Sequence, residues 1–245
     1  MSAKVFIIAE AGVNHNGSLE LALQLADKAK EIGADCVKYQ TFKAEQIVTS
    51  SSPKAQYQLK VTDSNETQFE MLKKLELQLE DFAKIKLHCE KIGIEFMSTP
   101  YNPEDADLLN KIGVKAFKIA SGQMVETPFL RYVAKFNKQM IVSSGMCDME
   151  EVRLGIDAIR STGNNDIILL QCNTDYPSKI EDTNLRAILT MKEELKIRVG
   201  YSDHVPNNYA CFAAVALGAE VIEKHFTLDK KMEGPDHSSS LEPKE

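Results

Sequence analysis

The chain is short of basic charge, histidine, paired cysteine and long apolar runs, and each shortage narrows what it can do. Its 29 lysines and arginines stand against 36 aspartates and glutamates, a net charge of −7. Phosphate backbones and anionic lipid are gripped by clustered Lys and Arg, so this balance excludes a general nucleic-acid or membrane-surface binder while leaving small anions open to local clusters. No apolar run approaches the about 18 residues of a transmembrane helix. MSAK leads directly into VFIIAEAG, without a charged, then apolar, then cleavable leader. A cytoplasmic protein is expected. The five cysteines, Cys36, Cys89, Cys147, Cys172 and Cys211, are scattered and form no C-x-x-C pair. They read as reduced thiols, none a nucleophile. No G-x-G-x-x-G or Walker pattern occurs, which argues against nucleotide binding.

What the chain does have is regular alternation. Its 245 residues, 43% hydrophobic and 27% charged, suit one soluble domain spanning 1–245 with one large core. Eight short apolar runs recur: VFIIAEAG (5–12), CVKYQTF (36–42), IEFMSTP (94–100), AFKIASG (116–122), MIVSSGM (140–146), IILLQCN (167–173), RVGYSDH (198–204) and VIEKHFT (221–227). Between them lie helical patterns such as SLELALQLADKAKEIGA. Most of these reach a glycine stop (Gly33, Gly93, Gly113, Gly163, Gly218) just before the next run. Strand and helix in alternation imply parallel strands with right-handed crossovers, hence an α/β fold. A (β/α)₈ TIM-type barrel is favoured over an open sheet because polar residues collect at the C-terminal end of nearly every run, where barrels build their sites. Two irregularities stand out. Residues 43–66 read as a long polar insertion after the second strand, followed by a short helix at FEMLKKLEL, and such an insertion at a barrel mouth suits a substrate cover. After the eighth strand, LDKKMEGPDHSSSLEPKE shows no amphipathic pattern for a last helix.

The polar ends divide by chemistry. Of only five histidines, His204 and His225 close successive strand patterns. As neutral imidazoles they suit a divalent transition ion, although hydrogen bonding at a strand end accounts for the spacing equally well. Alternation along VIEKHFT puts Glu223 on the face of His225 and Lys224 on the other. Lys38 and Lys118 sit among apolar neighbours and are expected inside the barrel. There they would either form a Schiff base with a carbonyl substrate or hold a carboxylate or phosphate. Ser121, Ser143 and Ser144, with the glycines of SG and SSG, favour the anion. Glu10, at the end of the first strand, is placed to orient a hydroxyl or shuttle a proton, or else caps loop amides. His15, in the turn that follows, has no chemistry assigned by its spacing.

In order along the chain, AEAGVNHNG, VKYQTF, FMSTP, FKIASG, IVSSGM, CNTDYP, GYSDH, VIEKHFTLDK and GPDH together resemble the sialic acid synthases, the group that makes N-acetylneuraminic, legionaminic and pseudaminic acids. The resemblance covers essentially the whole chain. It implies a barrel transferase that condenses phosphoenolpyruvate with an N-acetylated mannose-type aldose, releasing phosphate and a nine-carbon 2-keto acid. By matching motif it implies His204 and His225 as ligands of Mn²⁺, with Mg²⁺ or Co²⁺ as alternatives. It further implies Lys38, Thr99, Lys118, Ser121 and Ser143 around phosphoenolpyruvate, Glu10 beside the reacting carbons, and Gln40 and Tyr176 facing the amino sugar. Asn173 or Thr174 would also contact substrate, since the pair stands in inverted order. The family continues into a last barrel helix and an antifreeze-like C-terminal domain that reaches across a homodimer. Neither is found up to Glu245.

Two other readings compete: a pyruvate-type lysine aldolase with Lys118 as Schiff-base residue, and a non-catalytic sugar- or phosphate-binding barrel. Borohydride added in the presence of pyruvate is expected to leave the chain's mass unchanged. A reduced adduct mapped to Lys118 would select the aldolase instead.

Overall fold

The computed structural model describes residues 4–245. Among them eight strands and ten α-helices follow in order: β1 (Phe6–Gly12), α1 (Leu19–Glu31), β2 (Cys36–Thr41), the short helices α2 (Ala44–Ile47), α3 (Gln56–Val61) and α4 (Gln68–Leu75), α5 (Leu79–Ile92), β3 (Glu95–Pro100), α6 (Pro103–Lys111), β4 (Ala116–Ile119), α7 (Thr127–Ala134), β5 (Gln139–Ser143), α8 (Met149–Arg160), β6 (Ile167–Cys172), α9 (Ala187–Leu195), β7 (Arg198–Asp203), α10 (Tyr209–Ala216) and β8 (Val221–His225). The strands run parallel in the order β3-β2-β1-β8-β7-β6-β5-β4. β3 and β4 lie side by side without a hydrogen-bonded ladder, so the sheet curls into a nearly closed (β/α)₈ barrel. All eight apolar runs are strands, and the five glycines expected as helix stops adopt φ between 74° and 93°, the left-handed geometry that ends a helix.

Two differences from the sequence reading fall on short helices. The polar insertion at 43–66 holds two short helices, α2 and α3. Their few turns are too brief for a periodicity to show. α7 begins with Pro at its first turn and buries Phe129, Leu130, Val133 and Ala134; its apolar residues fall at i, i+1, i+4 and i+5, a helical stripe that the sequence reading passed over. After β8 the described residues contain no α-helix. The tail returns to the sheet through a parallel bridge between Phe226 and Leu241 and a 3₁₀ turn at His237–Ser239. No helix of the described residues is long and apolar enough to cross a membrane.

Alternation along each strand sorts side chains into two cores. Outward-facing residues such as Ala9, Val37, Tyr39, Phe117, Leu169 and Val199 pack under the helices. Inward, Ile8, Cys36, Met97, Ala116, Ile141, Ile168, Leu170 and Val221 close the bottom of the barrel. Two residues further along their strands, the inward positions turn polar: Glu10 above Ile8, Lys38 above Cys36, Lys118 above Ala116, Ser143 above Ile141, Glu223 above Val221. The apolar floor therefore places a polar layer directly on top of itself. β7 contributes Gly200, where an added Cβ would stand 2.5 Å from both the Leu170 side chain and the Val221 carbonyl. The floor is closed by its neighbours filling that space. Gly200→Ala is expected to cost about 1–3 kcal/mol, read as a lower urea midpoint at unchanged slope; an unmoved midpoint would contradict close packing at the floor.

Candidate active site

Four ionisable side chains from four strands meet on the floor. Lys38 Nζ lies 2.7 Å from Glu10 Oε2 and 3.6 Å from Glu223 Oε2, and Lys118 Nζ lies 3.6 Å from Glu223 Oε1. All four are at least 95% buried. Glu10 and Lys38 are register partners across β1 and β2. Hydroxyls complete the layer: Lys118 donates to Ser143 Oγ at 2.7 Å, Lys38 to Thr99 Oγ1 at 3.3 Å, and Ser202 to Glu223 Oε1 at 2.8 Å. Burial disfavours every charge here, and the neighbours decide which survive. Burial pushes Glu10 up to about 7, with Lys38 pulling back. Glu223 is also penalised by burial, but Lys118, Lys38 and the Ser202 hydroxyl outweigh it and hold its pKa below the usual range. Lys38 is raised because Glu10 and Glu223 overcome its burial, whereas burial lowers Lys118 against the pull of Glu223.

This layer lines a cavity of about 270 Å³. Glu10, Lys38, Gln40, Thr99, Lys118, Ser121, Ser143, Thr174, Tyr176, His204 and His225, eleven of the twelve residues expected from the sequence, line it together. The chain turns tightly there: a Cβ on Gly145 would come within 2.8 Å of Ser121 Oγ and 3.1 Å of the Cys172 carbonyl. Asn173 is the exception. Its carboxamide turns to the Asp182 carbonyl and its own carbonyl accepts from His204 Nδ1 at 2.6 Å. Thr174 therefore faces the cavity, and Asn173 fixes a histidine.

The two imidazoles stand with centroids 5.2 Å apart. Burial pushes His204 down to about 4. Burial, reinforced by His204 and Lys38, holds His225 well below its ordinary value. Both rings are neutral at pH 7, the state a metal requires. With Nδ1 of His204 committed to a carbonyl, its Nε2 is left as the donor, the usual arrangement of a fixed metal-binding ring. Nδ1 of His225 is buried without a hydrogen-bond partner. The pair fits a divalent ion that takes its remaining ligands from water or substrate. Among the described residues no third His, Cys, Asp or Glu converges with them; Asp236 holds a carboxylate oxygen 4.0 Å from His225 Nδ1.

Above this level a second cavity of about 430 Å³ shares Gln40, Tyr57, Tyr101, Tyr176 and His225 with the first. Its walls are the insertion (Ile47, Gln58, Met71, Leu72) and the tail (Pro235, Asp236). The turn after β1 ties the tail wall down. Asn14 donates to the Phe226 carbonyl at 2.8 Å and to Ser240 Oγ at 2.9 Å, and Asn16 donates to the Glu233 carbonyl at 2.9 Å. His15 accepts from Gly17 N at 3.1 Å, and burial and nearby His237 lower it to about 4. Sequence reasoning set Glu223 on the face of His225 without placing it in the site. It placed Tyr57 in the insertion expected to cover substrate, and Ser202 and Asp236 within the GYSDH and GPDH motifs, without giving any of the three a role, although period-2 alternation puts Ser202 on the His204 face; Tyr101 it did not single out.

A nearly closed barrel with its polar residues gathered at the C-terminal ends of the strands defines the class of (β/α)₈-barrel enzymes. Within that class the chain belongs to the NeuB family, the sialic acid synthases, whose model matches residues 25–245. The N,N'-diacetyllegionaminic acid synthase of Campylobacter jejuni is 48% identical over 244 residues, 99% of this chain and 73% of that protein. The synthase of the same name from Legionella pneumophila is 46% identical, over 100% of this chain and 70% of its own length. Among solved structures, the N-acetylneuraminic acid synthetase of Leptospira borgpetersenii in complex with citrate superposes with a TM-score of 0.88 at 34% identity, covering 99% of this chain and 80% of that one.

The buried turn gives a pH test. His15 is neutral when folded and gains a proton on unfolding below its ordinary pKa of 6.5. Its contribution is therefore full above pH 6.5 and is lost as pH falls toward 4. His15→Asn keeps an acceptor for Gly17. It is expected to flatten the acid limb of the stability curve by up to one proton, about 1.4 kcal/mol per pH unit, in urea titrations between pH 6.5 and 4. Parallel curves for the two proteins would refute the assignment.

Proposed function

We propose that the chain condenses phosphoenolpyruvate with an N-acetylated mannose-type aldose, giving a nonulosonic acid and inorganic phosphate, in the cytoplasm and as a homodimer. The observation that carries this reading is the stacking of two levels in one well: a lysine and hydroxyl layer on the floor, and a pair of neutral imidazoles at its rim. Phosphoenolpyruvate needs a fixed anion site, the aldose needs an activated carbonyl, and the two must be held in contact. Lys38 and Lys118, with Thr99, Ser121 and Ser143, bind the carboxylate and phosphate. Gln40, Thr174 and Tyr176 orient the amino sugar above them.

His204 and His225 would hold a divalent ion, Mn²⁺ foremost with Mg²⁺ or Co²⁺ as substitutes, which supplies Lewis-acid polarisation of the aldehyde oxygen. The C3 carbon of phosphoenolpyruvate attacks the aldehyde carbon, water adds at C2, and phosphate departs as the 2-keto group forms. Glu10 is buried beside Lys38 with its pKa pushed up to about 7, so near neutral pH it can take a proton from that water or return one. Its charge and that of Glu223 also face the cationic character that develops at C2.

Phosphate release from phosphoenolpyruvate is expected to require both Mn²⁺ and an N-acetylated aldose such as N-acetylmannosamine, and to stop with EDTA. His225→Ala should lower kcat by at least the about 10- to 100-fold that loss of a partner behind a metal ligand costs, while calorimetry still detects phosphoenolpyruvate. Turnover indifferent to both EDTA and His225→Ala would remove the metal. Failure of every N-acetylated aldose tried to trigger release would remove the condensation.

A further inference from the structure

The insertion after β2 contains a small, self-contained loop. Its neck is closed where Gln68 N donates to the Ser52 carbonyl at 3.1 Å. Just inside the neck, the Lys54 side chain is fully buried and its ammonium reaches Glu66 Oε1 at 2.7 Å, Thr62 Oγ1 at 2.8 Å and the Asp63 carbonyl at 2.6 Å. All three acceptors belong to the loop's own returning strand of chain. The other oxygen of Glu66 pairs with Lys74 of α4, which ties the neck to the barrel-mouth helix. A cavity of about 360 Å³ lies between Thr62, Asp63 and Glu66 on one side and Glu233, Gly234 and Pro235 of the tail on the other. The Lys54 clasp holds the loop from within.

The clasp presents α3, and α3 presents Tyr57. The Tyr57 ring stacks on Tyr176 with centroids 5.4 Å apart and planes 27° apart. Tyr176 in turn lies 4.1 Å from His204 and 5.5 Å from His225. Tyr57 thereby borders both the floor cavity and the upper one, although it is distant from the barrel strands in sequence. A lysine with no exposed side chain and three internal acceptors is an expensive way to shape a surface loop unless that shape is used. A compact loop with closed ends that covers a cavity is a common form of functional loop.

We propose that residues 52–68 form a clasped loop that completes the aldose end of the cleft, with Tyr57 meeting the sugar and Lys54 acting as the positioning residue that holds it there. This rests on the condensation reading above. The aromatic ring offers a flat apolar face to the sugar's C–H groups and continues the Tyr176 surface outward. The anion layer lies on the floor, on other strands, and does not depend on the loop. The loop therefore controls aldose binding separately from phosphoenolpyruvate binding.

The test is a KM-against-kcat comparison of wild type, Tyr57→Ala, Lys54→Met and Lys54→Arg, alongside phosphoenolpyruvate titrations by calorimetry. Tyr57→Ala and Lys54→Met are expected to raise the KM for N-acetylmannosamine about tenfold, with kcat within about threefold and phosphoenolpyruvate affinity unchanged. Lys54→Arg, which can still pair with Glu66, should recover most of that loss. Unmoved aldose KM in both Tyr57→Ala and Lys54→Met, with an active wild type, overturns the loop assignment alone. So does an equal loss of phosphoenolpyruvate affinity, which would make the loop a general wall. Tyr57→Ala leaves the clasp intact, so it decides the matter even if Lys54→Met does not fold. A wild type without aldose-dependent release takes down the condensation reading and this assignment with it.

Discussion

Everything in this barrel depends on keeping four charges together inside it. Glu10, Lys38, Glu223 and Lys118 come from β1, β2, β8 and β4, and any one alone would be a costly buried ion. As a set they sum to zero. Each carboxylate has an ammonium within 2.7 to 3.6 Å, and hydroxyls from three further strands take part of the remaining hydrogen-bonding capacity. Breaking such a set by deleting one member strands its partner. The cluster thus constrains the fold as well as the chemistry. No two of these strands except β1 and its neighbours β2 and β8 pair directly, so only curvature of the whole sheet brings Lys118 within reach of Glu223.

Most of the fold was legible because strands and helices carry different periods and glycine marks the joints. All eight runs became strands, and the inward positions at their C-terminal ends became the site. Most of what escaped had a physical reason. α2 and α3 are too short to display a period, whereas α7 carries one that was passed over. Glu223 was readable by alternation from His225, yet its partners lie on strands far away in sequence. Tyr57 lies on the brief helix α3 and Asp236 on an irregular segment, and the approach of both to the cavity is set by tertiary contacts that no periodicity records. Asn173 entered with Thr174 as alternatives from the CNTDYP motif; in the fold Thr174 lines the cavity, while the Asn173 side chain turns to Asp182 and its carbonyl holds His204.

The turn after β1 shows how irregular segments are nevertheless fixed. Within four residues Asn14, Asn16 and Gly17 reach the tail and α4. The first two do so by side-chain amides, the third by lacking a Cβ that would come 2.4 Å from the Lys74 carbonyl. The two walls of the upper cavity thus share one foundation, directly beyond the strand that supplies Glu10. A disturbance of that turn would reach both walls together.

The apolar floor has a consequence for traffic. Since Ile8, Met97, Ile141, Leu170 and Val221 close the barrel below the charged layer, the well has a single mouth, and whatever lies deepest must arrive first and leave last. On the condensation reading proposed above, two reactants sharing such a shaft would settle by depth, and a molecule at the rim would bar the way to the floor. Depth would then become sequence in time, with the floor packing, which touches no reactant, behind the order of events.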